Sequence, residues 1–385
     1  MVMARHDVEA VIIGGGIGGL AAAVALRRAG RDVVVCERAA TLDSTGGGLS
    51  LWPNAIKALD RLELGEAIRA LGAPEQGGGI RNSHGDMLLS LSTDDLARRH
   101  GAPTVIVHRA DLQQALRDAL PRGTVRLGAS CEALAQDATG VDMRFADGSC
   151  LRAALVVGAD GLRSVVRAAL FGAAPPRYRG YTAWRGVTAF PHGLLRPGES
   201  WGCGLEFGQA ALAGGRVYWF AAANAPEGAP DGPNGRKRDI LDRFGSWHDP
   251  IPAIIAATEE GAILRNDIYD RPPLKRWSAG RITLLGDAAH PMAPNLGQGA
   301  CQALEDATTL GRCLRAGDDI AQALRRYEQE RAPRANMIAR QSRLIGRVAQ
   351  WDNTLACQVR DATLRALPEW IQQQSLDRVV GYDVR

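Results

Sequence analysis

The chain has 385 residues, 46% apolar and 23% charged, with a formal net charge of +4, and this is the size and composition of a soluble protein of two or three domains. No dense Lys/Arg run is present, which sets aside nucleic acid and anionic membranes as partners, and no run of ~18 apolar residues suggests a transmembrane helix. Seven cysteines without a CxxC spacing, and no apolar leader before the first strand, predict reduced thiols in the cytoplasm and no metal site.

Val8–Ile13 reads as a buried strand, and Gly14, Gly16 and Gly19 then form GxGxxG, with Gly18 inside it. A helix follows over 17–29, and the next strand, Val33–Cys36, ends at Glu37. The spacing predicts an α/β unit for a dinucleotide. Gly14 permits the sharp turn, Gly16 lets the backbone approach a pyrophosphate, and Gly19 lets helix and strand pack closely. The helix N-terminus favours the phosphates, and Glu37 is placed for a ribose diol. This motif alone does not separate NAD from FAD.

Gly46–Gly48 is a glycine loop leading into a short strand and a helix starting near Pro53, a comfortable first-turn proline. Such a loop could lie against a flat ring, with Gly48 next to it, or be a plain connection. Arg109 opens a helix over 109–120, where a cation opposes the helix dipole unless an anion lies nearby. Residues 130–157 alternate like a β-meander and lead into Gly158-Ala159-Asp160-Gly161 and a helix over 162–169. Asp160 is placed to cap that turn or reach a cofactor hydroxyl.

Residues 176–277 are rich in aromatics, with strands predicted over 181–190, 203–207 and 217–222 and helices over 239–244 and 251–257. The aromatic excess suits a pocket for a flat organic substrate, and an ordinary sheet core is the alternative for any one ring. The segment 223–236, rich in Pro, Gly and Asn, reads as a surface loop. Farther on, a strand over 281–285 ends at Gly286-Asp287, and a proline–glycine loop leads into a helix over 298–314. Asp287 is placed to bind a ribityl or ribose hydroxyl, and the helix start around Gly297, Gln298 and Gly299 faces an anionic or carbonyl oxygen. His290 is a candidate acid or base by residue type, with a structural hydrogen bond as the alternative. Together the two motifs point to FAD. The chain closes on a helical tail, 352–374.

In sequence order these pieces resemble the class A, p-hydroxybenzoate hydroxylase-like FAD-dependent monooxygenases: GGGIGG with Glu37, the Arg109 helix, GADG at 158–161, GDAAHPMAPNLGQGACQALEDA at 286–307 and YEQERAPR at 327–334. The resemblance implies a Rossmann-like FAD-binding domain of the glutathione-reductase type (1–75, 98–175 and 278–350), an antiparallel-sheet substrate domain (76–97 and 176–277) and a C-terminal helical segment (351–385). It implies that Gly14, Gly16, Gly18, Gly19, Glu37, Arg38, Gly48, Arg109, Asp160, Asp287, Gly297, Gln298 and Gly299 serve FAD. Trp184, Arg185, Tyr218, Phe220 and Pro294 would face the substrate, with Pro294, Tyr218 and His290 as the candidates nearest the chemistry.

The activity implied is hydroxylation of an aromatic, heteroaromatic or polycyclic small molecule with O2, through a flavin C4a-hydroperoxide. NAD(P)H would be a transient reductant, since no second GxGxxG exists, and the protein would be a monomer or homodimer. An epoxidase, a Baeyer–Villiger oxygenase and a non-catalytic flavin-bound sequestering protein are the alternatives; a halogenase would carry WxWxIP, which is absent. Urate hydroxylases use an Arg in the strand before the Tyr218 position and an acid in the proline loop. Here those places are expected to be Gln209 or a neighbour, and Asn295.

Overall fold

The carboxyl ends of four parallel strands bring the two glycine motifs together. A computed structural model describes residues 8–42, 46–75, 77–315 and 317–384. Its first sheet runs, in order, Ser278–Ala279, Ile282–Leu284, Cys150–Gly158, Val8–Ile13, Val33–Cys36 and Val125–Arg126, with Val141–Phe145 and Cys131–Gln136 continuing off the Cys150–Gly158 strand. Ile13 lies level with Cys36 on one side and Gly158 on the other, and Gly158 is level with Leu284. Gly14, Glu37, Asp160 and Asp287 therefore leave the sheet at one edge, where open α/β sheets bind ligands.

The strands here are near-continuous apolar runs because both faces are covered. Helix Ile17–Arg28, buried along almost its whole length, packs against helix Gly299–Cys313. At Gly18 an added Cβ would stand 2.8 Å from the Leu285 side chain and 3.2 Å from that of Ala303. The bare backbone there allows the two helices to approach.

The second sheet has seven strands in the order Leu264–Asp270, Arg177–Ala189, Arg216–Asn224, Leu205–Leu212, Gly198–Trp201, Gly78–Asn82 and Met87–Leu91. Gly78–Asn82 and Met87–Leu91 join this sheet through a parallel pairing of Gly198–Trp201 with Gly78–Asn82. One face is sealed by helices Arg236–Phe244 and Ile251–Ala257 in a core of Trp184, Phe207, Trp219, Phe244, Trp247 and five isoleucines. Phe207 and Trp219 stack at 5.6 Å, and the Trp219 indole N–H donates to Thr258 Oγ1 at 2.9 Å.

Several element bounds differ from expectation for local reasons. The helix expected from 162 begins at Val165, because Asp160 and Ser164 cap it by accepting from Val165 N at 2.7 Å and Arg167 N at 2.8 Å. The strand expected from 203 begins at Leu205, after Gly204 turns with φ +67°. The tail is two helices, Thr354–Ala366 and Glu369–Val380, separated by Pro368 at the N-cap of the second. Val379 and Val380 fold back onto Leu96. No helix among the described residues is long and apolar enough to cross a membrane.

Candidate active site

The first glycine turn divides its labour. Gly14 has φ +110°, and an added Cβ would lie 2.4 Å from the Ala159 carbonyl oxygen; at Gly19 it would lie 1.9 Å from that of Gly14. Both positions are closed by the fold itself. At Gly16, the N-cap of helix Ile17–Arg28, an added Cβ meets no protein atom within 4 Å. Glu37 accepts from Gly15 N at 2.6 Å and from Ala39 N at 2.8 Å, and Arg38 beside it is exposed. Gln113, which carries no sequence signal for this role, donates to the Gly15 carbonyl at 2.8 Å from one turn into the Arg109 helix.

The cleft continues to the second motif. Arg109 is exposed there, its side chain packs along Gly46, and its charge reaches Asp287. Burial raises the Asp287 carboxyl, opposed by His290 and Arg109, while the side chain stays open to the cleft. Gly297 turns with φ +59°, and Gly299, first residue of the long helix, has no protein atom within 4 Å of an added Cβ. Pro294 and Gly297 are exposed on the same loop.

Side-chain partners favour the turn cap for Asp160 and the structural hydrogen bond for His290, and they turn Gln298 inward, against expectation. Gly18 is half-buried, and its missing side chain leaves room for Leu285 and Ala303. Asp160 spends its carboxylate on Ser164 Oγ at 2.5 Å and on the amides of Val165 and Val166, so it shapes the turn. Gln298 is 1% exposed and points inward, accepting from Asn54 Nδ2 and Gln302 Nε2, both at 3.0 Å. His290 is 2% exposed, with Nε2 2.5 Å from Asp306 Oδ2 and its ring 5.1 Å from that of Trp277. It is a positioning residue beneath the loop.

His290 belongs to a buried ionic cluster that the sequence did not reveal. Arg331 is fully buried between Glu305 and Asp306, with Nε 2.7 Å from Asp306 Oδ1, and it also donates to Gln302 Oε1 at 2.7 Å. Arg334 grips both oxygens of Glu305 at 2.7 and 2.8 Å. Asp306 accepts from Gly286 N at 3.0 Å, which fixes the turn that presents Asp287. Burial pushes the Asp306 carboxyl up, but His290 and Arg331 prevail and hold it at about 2. A depressed folded-state value stabilises the fold above the unfolded carboxylate's ordinary range near 4 and loses that contribution as pH falls toward 2. Urea midpoints measured from pH 5 to 2 should therefore decline most steeply below pH 4, and Asp306→Asn should flatten that decline.

The open face of the second sheet completes the site. Strand parity puts Arg185, Tyr218 and Phe220 on it, because Arg185 lies opposite Phe220 and Val187 opposite Tyr218. These residues are half-buried, whereas their rear-facing neighbours Val217, Trp219 and Ala221 are buried. Trp184 points the other way, 1% exposed in the rear core, with the guanidinium of Arg265 at 5.6 Å; the expectation that it faces substrate is corrected. The Tyr218 ring packs against Gly47 and Gly48, where added Cβ atoms would lie 2.4 and 2.7 Å from it. Arg185 hydrogen-bonds the Tyr218 hydroxyl, and burial pushes that hydroxyl up against the pull of Arg185. On the strand beside it Glu206, and not Gln209, meets the proline loop, accepting from Asn295 Nδ2 at 3.4 Å.

The residues present fit FAD. Two helix starts with open glycines, Gly16 and Gly299, an acid at each of two strand ends, Glu37 and Asp287, and Arg109 beside Asp287 gather at the carboxyl edge of the first sheet. The FAD binding domain family matches residues 7–184 and 270–342. The chain is 45% identical, over 94% of its length and 95% of the relative's, to aurachin C monooxygenase/isomerase of Stigmatella aurantiaca. It is 35% identical to an FAD-dependent urate hydroxylase of Klebsiella pneumoniae, over 87% of this chain and 88% of that one. The solved structure of Klebsiella pneumoniae HpxO with FAD and uric acid covers the whole of both chains at a TM-score of 0.92 and 31% identity. The chain belongs to the class A FAD-dependent monooxygenases, and FAD is its cofactor.

Proposed function

We propose that this protein inserts one oxygen atom of O2 into a planar heteroaromatic or other aromatic small molecule, at the expense of NAD(P)H, in the cytoplasm. The observation that carries the reading is the half-buried face of Arg185, Tyr218 and Phe220 beside the glycine loop, in a chain whose other sheet holds the FAD cleft. The relatives' names support ring oxygenation. The 35% likeness to zeaxanthin epoxidase of Solanum lycopersicum, of which this chain spans about half, keeps epoxidation as the second reading.

When bound and reduced, FAD supplies the activation of O2. The chain's own residues do the rest. The amides after Ile13 and the start of helix Ile17–Arg28 hold the pyrophosphate, and Glu37 the adenosine ribose. Arg109 and Asp287 hold the ribityl–phosphate portion. The helix start at Gly299 favours negative charge on the flavin's pyrimidine edge. Pro294 and Gly297, exposed on the loop before that helix, would border the flavin. Phe220 offers its face to a flat substrate, and Tyr218, its oxygen already accepting from Arg185, keeps its O–H to donate. Packing of the substrate over this wall excludes water, which limits wasteful release of peroxide.

The test is NAD(P)H oxidation by FAD-loaded protein against phenols, quinolones, purines and polycyclic compounds, with peroxide counted. At least one ring compound should accelerate oxidation with peroxide well below stoichiometric. Acceleration always matched by peroxide, or none from any compound, would sink the reading.

A further inference from the structure

Across the open sheet face, the residues level with one another form rows. Arg185, Phe220, Gly208 and Glu199 make one, and Ala183, Ala222, Glu206 and Trp201, all four buried, the next. The Phe220 ring leans over Gly208, where an added Cβ would lie 2.0 Å from it. An aromatic floor therefore runs from a guanidinium on one flank to a pair of carboxyls on the other.

The pair is arranged as one proton donor and one acceptor. Glu206 is 2% exposed, and its Oε2 accepts from Asn295 Nδ2 at 3.4 Å and Gln350 Nε2 at 3.3 Å. Its carboxyl also bonds to Glu199. Burial raises both carboxyls, Glu206 well above the carboxylate range with Glu199 adding to the effect, and two carboxyls bonded to each other hold a proton between them. Glu199 accepts the Trp201 indole N–H at 3.0 Å and is half-buried, on the same face as Phe220.

Two further groups end at this place without partners. Gln350, 9% exposed, directs its amide to Glu206, yet its Oε1 has no hydrogen-bond partner among the described residues. Glu75, whose carboxyl burial and then Glu199 push up to about 7, leaves its Oε2 without one as well. Gln350 also lines a cavity of about 530 Å³ with Tyr181 and Ala293, next to the proline loop. Buried acceptors left over beside an open floor call for a donor from elsewhere.

We infer that Glu199, braced by Trp201 and Glu206, accepts a hydrogen bond from the substrate, so that this chain takes a neutral ring carrying an N–H or O–H and rejects ring carboxylates. The inference rests on the monooxygenase reading for the identity of the pocket. Fixed acceptors discriminate strongly, because a substrate without the donor leaves them unpaired, and a carboxylate adds repulsion.

Binding to the FAD-loaded protein, read from perturbation of the flavin absorbance, separates this from turnover. The probes are 4-quinolone, 1-methyl-4-quinolone and quinoline-4-carboxylate. Wild type should bind 4-quinolone at least tenfold more tightly than either of the others. Glu199→Gln should reduce the preference over the carboxylate to less than threefold. Glu206→Gln should retain it, since its amide still donates to Glu199 and its carbonyl still accepts. Equal binding of all three probes by wild type, or no binding of any, overturns the inference; so does an FAD-replete Glu199→Gln that keeps the tenfold preference. If Glu199→Gln does not load FAD, the two wild-type ratios decide. Intact binding preferences without oxygenation of any ring would defeat only the monooxygenase reading.

Discussion

Gly16→Ala is expected to leave the FAD-free protein as stable as wild type while weakening FAD binding roughly 100-fold, about 2.7 kcal/mol. The backbone at Gly16 has φ −72° and ψ −179°, which alanine adopts freely, and the added Cβ touches no protein atom. Its only conflict is with a pyrophosphate seated on the turn. Gly14→Ala is the contrast. There φ is +110° and the Cβ meets the Ala159 carbonyl oxygen, so the apoprotein itself should be damaged. Thermal melts of the apoproteins and fluorescence titration with FAD read the two effects separately. Wild-type affinity in Gly16→Ala would remove the pyrophosphate from this turn.

Arg331→Ala should cost about 3–5 kcal/mol, the usual penalty for stripping one member from a buried ion cluster. Two carboxylates depend on this guanidinium, and both are fully buried. Arg334 still holds Glu305, and His290 still faces Asp306, but neither replaces the fork that spans both acids. Because Asp306 anchors Gly286 N, the loss should also loosen Asp287 and lower FAD affinity. Arg331→Lys keeps the charge without the planar fork and should recover only part of the stability. Urea unfolding with and without FAD measures both effects. A loss below about 1 kcal/mol would mean the cluster is not what holds the loop.

The FAD cleft was legible in the sequence because its constraints are local. A glycine that must turn with positive φ, one that must let helix and strand meet, and an acid at the next strand end fall at fixed spacing. Gly14, Gly19, Glu37 and Asp287 are read from neighbours in the chain. Direction across a sheet is not. Residues 184 and 185 are equally aromatic-pocket candidates in sequence, and only the position of the covering helices decides that Trp184 faces the rear core and Arg185 the open face. The same holds for Gln209 and Glu206 on one strand. Gln298 was a site candidate by its place at a helix start and His290 by residue type. Their partners Asn54 and Asp306 come from other segments, and Arg331 lies farther along still. Glu199 and Glu206 had a faint signal, an acid on each arm of a hairpin, but their pairing depends on its register.

The measurement closest to the central claim is reaction of the FAD-loaded protein with NAD(P)H, an accelerating ring compound and ¹⁸O2, followed by mass spectrometry of the product. The account predicts one ¹⁸O atom per product molecule and none from labelled water. Consumption of O2 with an unlabelled ring and all the label in peroxide would contradict it.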